Sequence, residues 1–372
     1  MNQTPILTII VPSYNMEEYL PKCLGSLVVA PELMERLEVL VVNDGSVDRT
    51  SEIAHDFEAK WPGVFKVIDK ENGHYGSCVN VALPMTMGKY IKILDADDFV
   101  EKDEFASALR MLDEIDSDLV ITDYRHVGRA GEVSVESKYP FDSRENFAME
   151  NLGEGISFLP IHAIAYHRRV FDGWNYHQLE GLAYTDCQWV SEPMLRVKSV
   201  RFLPFAVTNY LVGREGQTTE PTLRVENLEQ QMAVDLFLAK LHAGGRPEWC
   251  NPGAWAYFER LLFREIAWVY RVAVLGVEGC CPPFDFGGLF DAKLHEVDEG
   301  VWESVAGHPE VILRRGKRMS FNCVTVWRRG RRARYVVPAI RAAKKFLAVK
   351  RCRGGERGSG ALIYNSSPQH GQ

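Results

Sequence analysis

Tyr90-Ile91-Lys92-Ile93-Leu94-Asp95-Ala96-Asp97-Asp98 is a β-type run that ends in three carboxylates within four residues. Like charges this close repel, and each ionised carboxylate resists leaving water. A chain that sets them at the end of a half-buried strand needs a cation there to offset them. Hard carboxylate oxygens suit Mg²⁺ or Mn²⁺, which keep several waters and complete their shell with substrate phosphates. The alternative is a helix N-cap, where Asp is also favoured, but a single Asp would serve that purpose.

Working outward, the first 125 residues alternate strand-like and helix-like segments. Residues 6–11, 38–42, 64–68, 90–94 and 118–122 are short β-branched runs, and 17–29, 48–60, 75–87 and 103–113 are long enough for crossover helices. This alternation predicts a mostly parallel α/β sheet, which binds ligands outside the carboxyl ends of its strands. The first four runs are followed by Pro12-Ser13-Tyr14-Asn15, Asn43-Asp44-Gly45-Ser46-Val47-Asp48, Asp69-Lys70-Glu71-Asn72-Gly73-His74 and the carboxylate cluster. Any one could be ordinary turn chemistry. Four together on one edge describe a polar cleft. Further on, Gly128, Gly131, Val133 and Val135 suggest a hairpin. Residues 163–170 and 200–212 read as strands, and 184–197 as a helix. Beyond Glu226 the chain turns helical, with Trp255, Phe258, Leu262, Ile266 and Val269 at core spacing.

The 372 residues are 46% hydrophobic and 25% charged, enough for a sizeable core in one large or two smaller domains. The N-terminal apolar run is too short for a signal or a membrane span. Eight scattered cysteines without Cys-X-X-Cys pairing argue against zinc or a disulfide framework and for a cytoplasmic setting. The net charge of −7 hides an asymmetry: residues 314–357 hold sixteen Lys/Arg and one acid, Glu356, so the remainder is strongly acidic. Residues 335–352 read as a basic amphipathic helix able to lie on an anionic membrane, with residues 354–372 disordered. Nucleic acid would attract the same charges, but aromatics for base stacking are sparse, so none is expected as a partner.

No Gly-X-Gly-X-X-Gly follows the first strand and no P-loop occurs, which excludes the common dinucleotide and P-loop enzymes. The motifs present resemble the family 2 glycosyltransferases. The matching residues are Val11 to Asn15, Val42 to Ser46 with Asp48 and Thr50, Asn72 to Ser77 with Asn80, and Leu94 to Asp98, in order and in register. Tyr184 to Trp189 and Gly213 to Thr218 extend the likeness. The resemblance implies a Rossmann-like sheet of the A-type glycosyltransferase fold, with helices on both faces. It also implies inverting transfer from a nucleotide-diphospho-sugar, usually a UDP-sugar, to a glycan or lipid-linked acceptor in cell-surface polysaccharide synthesis.

Carried over position by position, Pro12 and Tyr14 would line the base pocket, Asp44 would bind uracil, and Asn80 would join the nucleotide contacts. Asp95 would hold the ribose or the metal and Asp97 would ligate Mn²⁺ or Mg²⁺. Arg214 and Gln217 would lie on a loop closing over the diphosphate. Asp186 would be the base that deprotonates the acceptor hydroxyl. The chain departs from the pattern at Thr185, where Glu is common, and at Val79, where many members have Arg; His74 is a candidate substitute for the latter. The implied organisation is a catalytic region 1–222, a helical region 223–313 and a basic tail 314–372. Two rivals stand beside this reading. One is a catalytically inert sugar-nucleotide-binding or scaffold protein, the other an aspartyl-phosphate phosphatase using Asp95 as nucleophile.

Overall fold

The computed structural model describes residues 4–128, 131–136, 146–152, 156, 158–277, 280 and 286–305. Their strands are β1 (Leu7–Ser13), β2 (Leu37–Asp44), β3 (Phe65–Lys70), β4 (Tyr90–Ile93), β5 (Phe99–Val100), β6 (Leu119–Gly128), β7 (Val133–Glu136), β8 (Phe147–Ala148), β9 (Ile164–His167) and β10 (Ser199–Val212). The helices of the first half are α1 (Leu20–Ser26), α2 (Pro31–Met34), α3 (Thr50–Lys60), α4 (His74–Ala82) and α5 (Lys102–Leu112). After these come α6 (Asp186–Trp189), α7 (Pro221–Glu226), α8 (Leu228–Ala243), α9 (Pro252–Leu275), α10 (Phe286–Val297) and α11 (Glu299–Ser304).

All ten strands form one sheet in the order β3-β2-β1-β4-β9-β6-β10-β5, with β7 on β6 and β8 on β10. The expected parallel half is there: β3, β2, β1 and β4 run together. Their carboxyl ends therefore share one edge. β9 is antiparallel to both β4 and β6, and β10 is parallel to β6, so β10 ends on that same edge. The pairing of β10 with β6 shifts register twice between Leu203 and Thr208, around Pro204, which has no N–H for the ladder.

Side-chain alternation splits the core into two layers. Ile10, Leu40, Val42, Ile91 and Ile93 face one way and pack with α4, α6, α8 and α9. Ile9, Val11, Val39, Val41, Tyr90 and Leu94 face the other way, onto α1 and α5. The α9 stripe is core as expected: Phe258, Leu262, Ile266 and Val269 are fully buried against the sheet layer. That layer holds residues from both sides of position 222.

The expected helix over 184–197 is a correction. Only Asp186–Trp189 is α-helical, followed by a 3₁₀ turn at Pro193–Arg196. Ser191 Oγ donates to the Cys187 carbonyl at 2.6 Å, competing with the ladder, and Pro193 cannot donate at all. The strand expected over 163–170 is likewise shorter, giving way to a 3₁₀ turn at Arg168–Phe171. The amphipathic helix of 335–352 and the whole of 314–372 lie outside the described residues.

Candidate active site

Asp44 ends β2 with its carboxylate buried. Its Oδ1 accepts from Lys70 Nζ at 2.7 Å, from the Gly73 amide at 2.9 Å and from Ser77 Oγ at 3.5 Å. Lys70 also donates to Ser77 Oγ at 2.8 Å, so the second and third strand-end loops are tied through one ammonium. Gly45 sits at φ +72°, and a Cβ there would come within 2.9 Å of the Asn72 amide. The first loop is tied to the second: the Asn15 amide donates to Ser46 Oγ (3.0 Å) and Asn15 Oδ1 accepts from the Val47 amide (2.9 Å). Pro12 is buried at the end of β1, while Tyr14 stays 47% exposed at the rim.

The carboxylate cluster follows β4. Asp95 Oδ1 accepts from the Tyr75 hydroxyl at 2.8 Å. Burial, and after it the charge of Asp97, pushes the Asp95 carboxyl up to about 7. Asp97 Oδ2 accepts from Arg214 Nε at 2.8 Å and from Gln217 Nε2 at 3.4 Å. Gln217 in turn accepts the Gly213 and Arg214 amides and donates to the Leu211 carbonyl, which sets the turn after β10. Asp98 faces inward, with Oδ1 accepting from the Leu211 amide at 2.9 Å and Oδ2 buried without a partner. Beneath them Lys92 is buried in the central strand, donating to the His162 carbonyl at 2.6 Å. Burial pulls its ammonium down to about 8, against the opposing pull of Asp98 and Asp95.

Asp95 and Asp97 fit a hard divalent cation by the chemistry of their oxygens and by the repulsion that raises Asp95. Among the described residues no three His, Cys, Asp or Glu converge into a ready-made ligand set. An ion that takes one or two carboxylates and finds its other ligands in water and phosphate needs none.

Asp186 starts α6, after Tyr184 at φ +62°. Burial raises its carboxyl above the usual range. It lies within electrostatic reach of both Asp95 and the Tyr75 phenol, which sets the start of α6 beside the carboxylate cluster. The segment is held by amides: Asn80, Gln178 and Gln188 bond across between α4 and α6.

The structure thus gathers Asp44, Asp95, Asp97, Arg214 and Gln217 along one sheet edge, with Pro12 and Tyr14 at its first loop and Asp186, at the start of α6, near Asp95. Asn80 is on the same helix as Tyr75, but its side chain is engaged with residues 177–180 rather than with the cleft. Val79 is fully buried in the core, and His74 is exposed at φ +65°. Trp189 packs in the core, stacked on Phe171 at 5.4 Å. Sequence reasoning gave no roles to Lys70, Tyr75 or Lys92. The first two stand within the third strand-end loop and its helix, which was signal enough to single them out.

Comparison with known proteins is consistent across sequence and structure. The sequence profile described as Glycosyl transferase family 2 matches residues 8–174. An uncharacterized glycosyltransferase of Mycoplasma pneumoniae, the MG025 homolog, is 32% identical over 225 residues, covering 58% of this chain and 70% of the relative. The minor teichoic acid biosynthesis protein GgaB of Bacillus subtilis is 30% identical over 135 residues, 36% of this chain and 15% of that much longer one. Among solved structures, S. aureus TarS 1–349 in complex with UDP superposes with a TM-score of 0.55 at 17% identity, over 96% of this chain and 94% of that one. At that identity the likeness speaks for the fold.

Proposed function

Since the chain belongs to glycosyl transferase family 2, we propose that it transfers a sugar, with inversion, from a UDP-sugar to a hydroxyl of a cell-surface glycan or lipid-linked acceptor. The observation that carries this is the placing of Asp44 and the Asp95/Asp97 pair on one sheet edge with Asp186 of α6 near Asp95. UDP bound to the TarS structure supports the choice of nucleotide, and GgaB supports a surface-polymer acceptor.

On this reading Tyr14 and Pro12 flank the uracil and Asp44, oriented by Lys70 and Gly73, accepts from it. Asp97 and Asp95 would hold Mn²⁺ or Mg²⁺, which would supply positive charge to the departing diphosphate. Arg214 lies in the same patch. Exchanging its bond to Asp97 for one to the diphosphate places a cation where charge develops in the transition state. Asp186 removes the acceptor proton. The burial that raises its proton affinity makes it a better base near neutral pH. Base and leaving-group machinery sit on different elements, as displacement from opposite faces requires.

Residues 1–222 carry this chemistry, and α8 packs against α6. The basic segment 314–372 would hold the enzyme at the inner, anionic face of the membrane; full-length protein that fails to sediment with phosphatidylserine vesicles at low salt refutes that role. Among the described residues no helix is long and apolar enough to cross a membrane. A phosphatase reading is disfavoured by the match to glycosyl transferase family 2 over residues 8–174, which includes Asp95 and Asp97. Calorimetric titration with UDP, with and without Mn²⁺, tests the site. Mn²⁺ should tighten UDP in the wild type and have no effect on Asp97→Ala; an Asp97→Ala variant in which Mn²⁺ still tightens UDP as in the wild type removes the assignment.

A further inference from the structure

Asn80 belongs to the helix that lines the donor side, yet every polar atom of its side chain is engaged elsewhere. Its Oδ1 accepts from the Gln178 amide at 2.8 Å, and its Nδ2 donates to the Gln178 carbonyl and to Glu180 Oε1, each at 2.8 Å. A primary amide has two N–H donors, and both are spent here. Gln178 is fully buried, and its Nε2 donates at 2.7 Å to the Thr185 carbonyl, the residue just before Asp186. Gln188, also fully buried, closes the frame from the other side. Its Oε1 accepts from the Leu179 amide at 2.8 Å and its Nε2 donates to the His177 carbonyl at 3.0 Å.

The backbone is matched to this frame. The Gly181 amide donates to the Gly73 carbonyl at 2.9 Å. At Gly76 a Cβ would stand 1.9 Å from the Leu179 carbonyl oxygen, so a larger residue could not let 177–181 lie this close to α4. Buried amides cost free energy unless satisfied, and a satisfied network fixes one arrangement. These bonds join the donor-side helix to the short turn that presents Asp186. That turn, a single α6 turn preceded by a left-handed Tyr184, has little helical ladder of its own to hold it.

We infer that Asn80, Gln178 and Gln188 form an amide clamp that positions the Asp186 carboxylate against the donor, and that Asn80 is a positioning residue for the base and not a nucleotide contact. The inference rests on the reading of Asp186 as base. A polar clamp of this kind couples the two halves of the site: what settles α4 settles the base.

The test uses Asn80→Asp in the full chain, which keeps the shape and the acceptor but removes both donors and adds a charge beside Glu180. UDP affinity is measured by calorimetry, and turnover as UDP release from a UDP-sugar with water as acceptor. The clamp predicts UDP affinity within about twofold of wild type and release slower by about tenfold or more, with no further loss when Asp186→Asn is added, because the two changes act through one group. Gln178→Met, which keeps the length of the side chain and removes the bond to the Thr185 carbonyl, should give the same pattern and stands in if Asn80→Asp does not fold. UDP affinity falling about tenfold in both variants, or losses that multiply with Asp186→Asn, would overturn the clamp. Unimpaired Asn80→Asp beside a slow Asp186→Asn removes the clamp alone; an Asp186→Asn that releases UDP at the wild-type rate removes the base assignment and the clamp with it.

Discussion

Lys70→Met should destabilise the fold and loosen the nucleotide pocket together. The Asp44 side chain is 4% exposed and that of Lys70 21%. The ammonium serves Asp44 Oδ1 at 2.7 Å and Ser77 Oγ at 2.8 Å. Methionine keeps the stem and deletes the charge, leaving a buried carboxylate with the Gly73 amide as its one remaining close donor at 2.9 Å. Removing one partner of a buried ion pair costs about 3–5 kcal/mol. The surviving amide bond and the partial exposure of Lys70 reduce this to about 2–3 kcal/mol. For a domain of this size each kcal/mol moves the melting midpoint by about 2–4 °C, so a drop of roughly 5–10 °C is expected. Adding Asp44→Asn removes the stranded charge and should recover much of the loss, giving a coupling of about 1–3 kcal/mol in a double-mutant cycle. The assay is urea unfolding of the four proteins, with UDP affinity measured alongside. A cycle additive to within about 0.5 kcal/mol, or a Lys70→Met protein that unfolds with the wild type, would refute this account of Asp44.

Two further outcomes are expected. Asp186→Asn keeps the shape of the side chain without its basicity, so it should bind UDP nearly as the wild type does yet transfer sugar about a hundredfold or more slowly; loss of UDP binding would move the residue to the donor site. The raised Asp95 carboxyl also makes stability pH-dependent. An acid whose folded value, about 7, exceeds its unfolded value binds more protons when folded. Its contribution is full below about pH 4 and is lost as pH rises through 7. Metal-free protein should therefore lose melting temperature as pH rises from about 4 to 7, Asp95→Asn should flatten that slope, and equal slopes in both would exclude Asp95 as the cause.

Much of the catalytic half was legible because its information is local. Each parallel strand is a short β-branched run, and each is followed by the residues that form its loop, so Asp44, Asp95 and Asp97 could be placed on one edge from spacing alone. What escaped depends on partners far along the chain. Arg214 meets Asp97 across 117 residues, and Asn80 meets Gln178 across 98. No periodicity announces that Asn80 will be spent on the segment before Asp186. β9 enters the sheet antiparallel between β4 and β6, an insertion that alternation of strand and helix does not suggest. The helix expected over 184–197 fails on Ser191 and Pro193, two breakers whose effect outweighed the apolar spacing around them. Lys92 reads as one alternating position in a strand, and only the fold puts its ammonium under the carboxylates.

The most direct measurement is a panel of nucleotide sugars incubated with the full-length protein, with Mn²⁺ or with EDTA, following release of the free nucleotide. The account predicts slow, metal-dependent release of UDP from a UDP-sugar, absent in Asp97→Ala. Release undiminished in EDTA or in Asp97→Ala would contradict it, as would hydrolysis of p-nitrophenyl phosphate without turnover of any nucleotide sugar.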